Sequence, residues 1–117
     1  MASTTASRKQ KGRVLQQHTA KRILETFPEL TERDVVSVPM GVSGDDIRLS
    51  EVGSKTFPYS VECKNQEKLS IWASLDQSNS TNRELTPLLV FKRNRSNVYC
   101  ALKLDDFLKL LKRCEND

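Results

Sequence analysis

The stretch FPYSVECK, residues 57–64, decides the fold. It predicts a strand, because successive side chains of a strand point to opposite faces of the sheet. The apolar and aromatic side chains share one face: Phe57, Tyr59, Val61 and Cys63. The other face carries Ser60, Glu62 and Lys64. A strand covered by helices normally has apolar residues on both faces, so an acid and a lysine two residues apart predict a functional site here.

The segment before this strand supplies a second carboxylate. Residues 46–50 alternate, with Ile47 on one side and Asp46 on the other. If this segment pairs with the next strand as a hairpin, Asp46 and Glu62 converge. Two converging carboxylates form a hard oxygen site suited to Mg²⁺ or Mn²⁺, and Lys64 beside the metal could position or deprotonate an attacking water. Phosphodiester hydrolysis requires such groups, so a metal-dependent nuclease is the first hypothesis.

The rest of the sequence predicts helices before, between and after the strands, because apolar residues recur there at helical spacing. The predicted elements are a helix at 13–27, strands at 34–40, 46–50 and 57–64, a helix at 68–78, strands at 85–91 and 98–104 forming a hairpin, and a final helix capped by Asp105 or Asp106. A loop through Gly53 separates the second and third strands. Leu69, Trp72 and Leu75 are the expected buried residues of the second helix. This order predicts a mixed α/β layer structure.

Composition limits the class of protein. Residues 1–12, rich in Ser, Thr, Lys and Arg, are expected to be a disordered basic tail, and residues 13–117 a single domain. The start lacks the apolar stretch of a secretory signal, and no apolar run approaches the roughly 20 residues that span a membrane, so a cytoplasmic protein is expected. The three cysteines form neither a disulfide framework nor a paired zinc site. The net charge of +4 makes nucleic acid a reasonable partner.

The sequence resembles the PD-(D/E)xK nuclease superfamily, which includes restriction-type endonucleases and Holliday-junction resolvases. Two motifs carry the resemblance: GDDI, residues 44–47, and SVECKN, residues 60–65, which contains the E-x-K element. The predicted order matches the αβββαβ core of the family over residues 13–104, and residues 38–77 look most like small nuclease-type proteins of bacteriophages. The resemblance implies a restriction-endonuclease-like fold with one mixed sheet flanked by helices.

The resemblance also implies roles for individual residues. Asp46, Glu62 and the backbone carbonyl of Cys63 would hold Mg²⁺, with Mn²⁺ as a substitute, and Lys64 would be catalytic. The aspartate element lacks the proline of the family name. Asp45 therefore stays an alternative to Asp46, which is preferred because the isoleucine after it must face the core.

Further residues are candidates for supporting roles. An acid on the first helix, Glu25 by position, would assist the metal, and Gln77 matches a glutamine that some branches of the family carry after the motif. The candidate DNA contacts are Ser43 and the basic turn of Lys92, Arg93 and Arg95. A solvated surface charge is the alternative interpretation of Glu25 and of the basic turn, since helix flanks and hairpin tips are normally exposed.

Together these observations predict a Mg²⁺-dependent endodeoxyribonuclease that cuts DNA. Without a separate recognition domain, selectivity for junction or branched DNA is expected. A homodimer is expected because cutting two strands needs two active sites. The last helix could be the dimer surface or could cover the sheet, through a stripe formed by Phe107, Leu110, Leu111 and Cys114. The rival hypothesis is a non-catalytic DNA-binding or phage interaction protein that reuses this fold, and an RNA substrate stays open.

Overall fold

The computed structural model describes residues 5–39, 41–42, 44–81 and 84–115. Along the chain the elements are α1 (Thr5–Thr26), β1 (Val35–Ser37), β2 (Ile47–Leu49), α2 (Glu51–Thr56), β3 (Tyr59–Asn65), α3 (Ile71–Thr81), β4 (Thr86–Lys92), β5 (Tyr99–Ala101) and α4 (Leu104–Glu115). Among these helices, none is both long and apolar enough to cross a membrane.

The main sheet has three strands in the order β3-β4-β5. β3 runs parallel to β4, and β4 and β5 form the predicted antiparallel hairpin. β1 and β2 form a separate antiparallel pair, which a backbone hydrogen bond of 3.0 Å from the Asp46 N–H to the Val61 carbonyl joins to β3. The predicted class, a mixed α/β fold with a mixed sheet flanked by helices, is confirmed.

The segment between β2 and β3 differs from the predicted loop, because it contains the short helix α2. Ser50 caps this helix, since its hydroxyl accepts a hydrogen bond of 3.0 Å from the Gly53 N–H. Gly53 is buried, and a Cβ added to it would lie 2.5 Å from the carbonyl oxygen of Asp34. Ser50 also donates to the Asp34 carboxylate over 2.7 Å. A glycine at position 53 therefore allows α2 to pack against the start of β1.

The core lies between α1 and one face of the sheet. Its buried residues are Leu15, Ala20, Ile23, Leu30, Val35, Ile47, Val61, Cys63 and Val90. Val61 and Cys63 belong to this cluster, so alternation along β3 turns Glu62 to the opposite face. α3 contacts β3 and β4, and its buried Ser74 and Ser78 are absent from the α1 cluster. The two faces of β3 therefore meet different helices.

The first helix begins earlier than expected. α1 starts at Thr5 rather than near residue 13, so residues 5–12 belong to a helix and not to the predicted tail, and residues 1–4 lie outside the described part. Once packing at Leu15 holds the helix, each further residue extends it at little cost. The segment contains alanine, lysine, arginine and glutamine, which are good helix formers.

One other prediction about packing was wrong, and the structure does not support one of the two alternatives for the last helix. Trp72 was expected in the core of the molecule, but it is 80% exposed, and Ser74 and Ser78 take the buried positions of α3. α4 does not cover the sheet with its apolar stripe, since none of its described residues is buried. Its exposed apolar residues are Leu104, Phe107, Leu108 and Leu111.

Candidate active site

Glu62 and Lys64 lie two residues apart on β3. Glu62 is buried, with 6% of its surface exposed, whereas Lys64 is partly open to solvent. The Lys64 Nζ lies 3.6 Å from the Glu62 Oε1. The strand therefore holds an acid and an ammonium group in contact at a place that solvent reaches from the lysine side.

Asp46 lies one residue before β2, and three hydrogen bonds fix its backbone. Its N–H donates to the Val61 carbonyl over 3.0 Å, and its own carbonyl accepts from the Val38 N–H at 2.9 Å and from the Gln16 Nε2 at 3.3 Å. Its side chain reaches β3 as well, because the Cys63 N–H donates to the Asp46 Oδ2 over 2.7 Å. The carboxylate of Asp46 is thereby held against the peptide between Glu62 and Cys63.

Asp45 also contacts β3, but through a side chain. The Ser60 hydroxyl donates to the Asp45 Oδ1 over 2.6 Å. Ser60 belongs to the same strand face as Glu62, so both aspartates lie near that acid. The negative charge of Asp45 contributes to raising the pKa of both Asp46 and Glu62.

The two carboxyl groups are in an environment that disfavours their ionised forms. Burial raises the pKa of Glu62, the charge of Asp46 raises it further, and Lys64 lowers it in part. Burial also raises the pKa of Asp46, against the Cys63 N–H and Lys64, which lower it. The positive charge of Lys64 therefore does not fully compensate the burial of Glu62 and the partial burial of Asp46.

The chemistry of these groups matches a divalent cation bound by oxygen. Among the described residues no three acidic, histidine or cysteine side chains group as a metal cluster. The available donors are instead two carboxylates, from Asp46 and Glu62, and the backbone carbonyl of Cys63. Burial raises the pKa of the Cys63 thiol to about 12, so that sulfur stays neutral and is a poor ligand. Oxygen donors and excess negative charge suit Mg²⁺ or Mn²⁺.

The first helix meets this site at Gln16 and not at Glu25. Glu25 comes nine residues later, which is about 14 Å along the helix and on its opposite side. Its carboxylate lies 3.9 Å from Arg22, and both side chains are more than half exposed. The structure therefore does not bring Glu25 to the site, and its exposed pairing with Arg22 agrees with the interpretation of that acid as a solvated surface charge.

Gln16 was not predicted as a site residue, although the sequence contains a signal for it. It is 3% exposed and occupies a position of the apolar stripe, since Ala20 and Ile23 follow at helical spacing. Its Nε2 must face the Asp46 carbonyl, because a carbonyl oxygen only accepts hydrogen bonds. Its Oε1 is buried and has no partner among the described residues. The signal in the sequence is an amide side chain at a position of the helix where an apolar residue is expected.

The comparisons with known proteins identify the family. The family described as "Phage putative PDDEXK endonuclease" matches residues 7–117. The chain belongs to this family. No curated protein and no solved structure matches it. The PD-(D/E)xK resemblance is thereby confirmed, and the match begins two residues into α1 and continues through α4.

Within this PDDEXK chain, the basic turn lies beside the candidate site. Lys92 pairs in register with Asn65, the residue after Lys64, and the Gln66 N–H donates to the Lys92 carbonyl over 3.1 Å. The Asn94 N–H donates to the Glu67 Oε1 over 2.9 Å, which anchors the turn. Arg93 and Arg95 belong to this turn, which follows β4 directly. The turn is therefore at the same end of the sheet as Lys64.

The roles of the two other candidate residues stay predictions. Gln77 is exposed on α3. Ser43 lies outside the described residues. The geometry of the PDDEXK site therefore rests on Asp46, Glu62, Lys64 and their neighbours.

Proposed function

We propose that this chain is a metal-dependent endonuclease that hydrolyses phosphodiester bonds of DNA. The observation that carries the proposal is the placement of three charged groups along one strand. The Lys64 Nζ lies 3.6 Å from the Glu62 Oε1, and the Asp46 carboxylate accepts a hydrogen bond from the N–H of Cys63, the residue between them. Membership of a phage PDDEXK endonuclease family supports it. A site needed only for folding would not require a buried acid beside a half-buried one, because burying a carboxylate without full compensation costs stability.

In this proposal Asp46, Glu62 and the Cys63 carbonyl hold Mg²⁺, for which Mn²⁺ can substitute. When bound, the ion would supply Lewis-acid chemistry, which lowers the pKa of the attacking water and neutralises charge on the phosphate. The carboxylates must be ionised to hold it, and the hydrogen bond from the Cys63 N–H orients the Asp46 oxygens. Lys64 is partly exposed, so its ammonium can contact the attacking water or the phosphate and stabilise the charge that develops there.

The proposed substrate is DNA, with branched or junction forms preferred. The turn of Lys92, Arg93 and Arg95 would contact phosphates on either side of the cut, because cations near an acidic metal site compensate the charge of the strand. The net charge of +4 favours capture of a polyanion.

A homodimer is the second part of the proposal, since two cuts need two sites. The surface of α4 supports it. Asp106 and Leu110 are its half-buried residues. Leu108 lies about 200° around the helix from Asp106, on the side away from the body. The exposed apolar stripe follows that side through Leu104, Phe107, Leu108 and Leu111. Such a stripe facing water is typical of a helix that pairs with a partner.

Charge indicates that the partner is a second copy in antiparallel orientation. The first turn of α4 carries Asp105 and Asp106, and its last turn carries Lys112 and Arg113. In an antiparallel pair the acidic turn of one helix lies beside the basic turn of the other. A parallel pair would bring like charges together. The antiparallel arrangement also satisfies twofold symmetry.

Cleavage of supercoiled plasmid and of branched DNA tests the function. Wild type should cut with Mg²⁺ or Mn²⁺ and not with EDTA, and Lys64→Ala should lose cutting. Lys55→Ala is the matched control, because Lys55 is exposed and pairs with its helix neighbour Glu51 at 3.5 Å. Asp46→Asn and Asp45→Asn compared side by side assign the aspartate. Tight DNA binding without cleavage of any form by wild type would favour the non-catalytic rival.

A further inference from the structure

A cavity of about 260 Å³ lies at the carboxyl ends of β3 and β4. Phe91 lines it and is the register partner of Lys64. Paired residues on neighbouring strands share a face of the sheet, and the strands are about 4.8 Å apart. The cavity therefore begins one strand away from Lys64, on the face that carries Glu62.

One exposed aromatic side chain lines this cavity, and a second belongs to the residue that follows a lining residue in the chain. Tyr99 lines it and is 55% exposed, and its ring lies 6.1 Å from that of Phe91. Ile71 lines it as well, and the next residue is Trp72, with a Cα about 3.8 Å further along the chain. Trp72 is 80% exposed. Tryptophan is normally well buried, so an indole left in solvent one residue after a residue that lines a cavity supports a binding surface here.

Positive and negative side chains both lie at the cavity, and they favour different parts of a nucleotide. Lys92 and Arg93 line it, and Arg95 belongs to the same turn. Glu67 also lines it and accepts a hydrogen bond from the Asn94 N–H. A carboxylate repels phosphate, so the phosphates belong on the arginine turn and an uncharged group belongs in the cavity.

We propose that this cavity and the ring of Trp72 bind one unpaired base of the DNA strand, with the flanking phosphates on Arg93 and Arg95. The inference rests on the proposed function, because it takes DNA as the substrate. A base inside a duplex is already stacked on both sides, whereas an unpaired base has a free face for an aromatic ring. The volume of about 260 Å³ is below the roughly 300 Å³ of the smallest ligand pockets, which suits a single base. Binding of an unpaired base in this cavity would direct branched or single-stranded regions of DNA to Lys64.

Fluorescence tests this directly, because Trp72 is the only tryptophan of the chain. The wild-type protein is titrated in EDTA, where no strand is cut, with a mixed-sequence single-stranded oligonucleotide and with its blunt duplex. The single strand should quench the tryptophan emission and the duplex should leave it nearly unchanged. Anisotropy of the labelled oligonucleotides then gives affinities for the variants.

The variants separate stacking from charge. Trp72→Ala should bind the single strand about 5- to 150-fold more weakly, the effect of one stacked base, and should bind the duplex as wild type does. Trp72→Phe should retain most of the affinity. Val52→Ala is the matched control, because Val52 is an exposed apolar residue, 57% accessible, on α2. Circular dichroism checks that each variant is folded.

Two outcomes would overturn the inference: unchanged emission at saturating single strand, or full single-strand affinity in Trp72→Ala. If wild type also cuts branched DNA with Mg²⁺ in that case, the nuclease proposal stands without the base site. If single strands quench Trp72 and Trp72→Ala weakens their binding while no DNA is cut, the base site stands and the nuclease proposal fails.

Discussion

Replacing Glu62 with glutamine should stabilise the metal-free protein while it abolishes cleavage. The Coulomb attraction of Glu62 to Lys64 across 3.6 Å is on the order of 4 kcal/mol at an effective dielectric constant near 20. Removing an ion from water costs several kcal/mol, which offsets that attraction. Burial raises the pKa of Glu62 in spite of the nearby Lys64, so we expect the ionised form to destabilise the metal-free fold. Glutamine has nearly the same shape and no charge.

The sign of the pH dependence follows from the direction in which the pKa of Glu62 moves on folding. Below the ordinary pKa of 4.5 the carboxyl is protonated in both states, and Glu62→Gln should change stability little. As pH rises above that value the unfolded chain loses the proton first, so wild type loses stability relative to the variant until the raised native pKa is passed. A tenfold difference in acidity between the folded and unfolded states corresponds to about 1.36 kcal/mol. We expect a gain of about 0.5–2 kcal/mol at neutral pH, the range of single stabilising substitutions.

Thermal unfolding in EDTA across pH measures the effect. About 1 kcal/mol corresponds to a Tm change of roughly 3–6 °C for a chain of this size. Mg²⁺ should raise the Tm of wild type and not that of Glu62→Gln. Glu51→Gln is the control, because the Glu51 side chain is 86% exposed. A Glu62→Gln protein less stable than wild type at neutral pH in EDTA would refute the reasoning.

Three further predictions concern other parts of the molecule. Gln16→Leu removes the hydrogen bond to the Asp46 carbonyl and should lower the cleavage rate about fivefold, which corresponds to about 1 kcal/mol. The exposed Gln17→Leu is the control and should leave the rate unchanged. Equal cleavage rates for the two variants would contradict a positioning role of Gln16. Leu108→Asp should shift the mass measured by light scattering at high concentration from that of a dimer toward that of the 13.3 kDa monomer. Val52→Asp is the control and should leave the mass unchanged. A wild-type protein that is monomeric at every concentration would exclude α4 as a dimer surface. Gly53→Ala should lower the free energy of unfolding by about 1–3 kcal/mol, because the added Cβ would lie 2.5 Å from the Asp34 carbonyl oxygen. Urea unfolding measures this change. An unchanged free energy of unfolding would show that α2 can move to relieve the contact.

Strand alternation explains why part of the site was predictable. It fixes Glu62 and Lys64 relative to each other whatever the rest of the fold does. The predicted convergence with Asp46 has a different cause from the expected one. β2 and β3 do not pair along their length, because they belong to different sheets. A single backbone bond to Val61 and the side-chain bond to Cys63 bring Asp46 to the strand.

The contacts of the helices were predicted less well. A periodic pattern of apolar residues indicates which side of a helix is buried, but it does not indicate which strand or residues that side contacts. Glu25 and Gln16 are both on α1, and only the packing of that helix on β3 determines which turn lies over the site. In α3 the buried residues are Ser74 and Ser78. Small polar residues suit a helix that packs on the polar face of β3. The prediction that Trp72 is buried was based only on the spacing of apolar residues, which does not show which face of the sheet the helix contacts.

A crystal structure of the wild-type protein soaked in Mn²⁺ tests the central claim most directly. The anomalous signal of manganese identifies the ion without reference to activity. We predict one peak bound by carboxylate oxygens of both Asp46 and Glu62, and loss of that peak in Glu62→Gln. An occupied manganese site elsewhere, with none between Asp46 and Glu62, would contradict the assignment of these residues as the metal site of the nuclease.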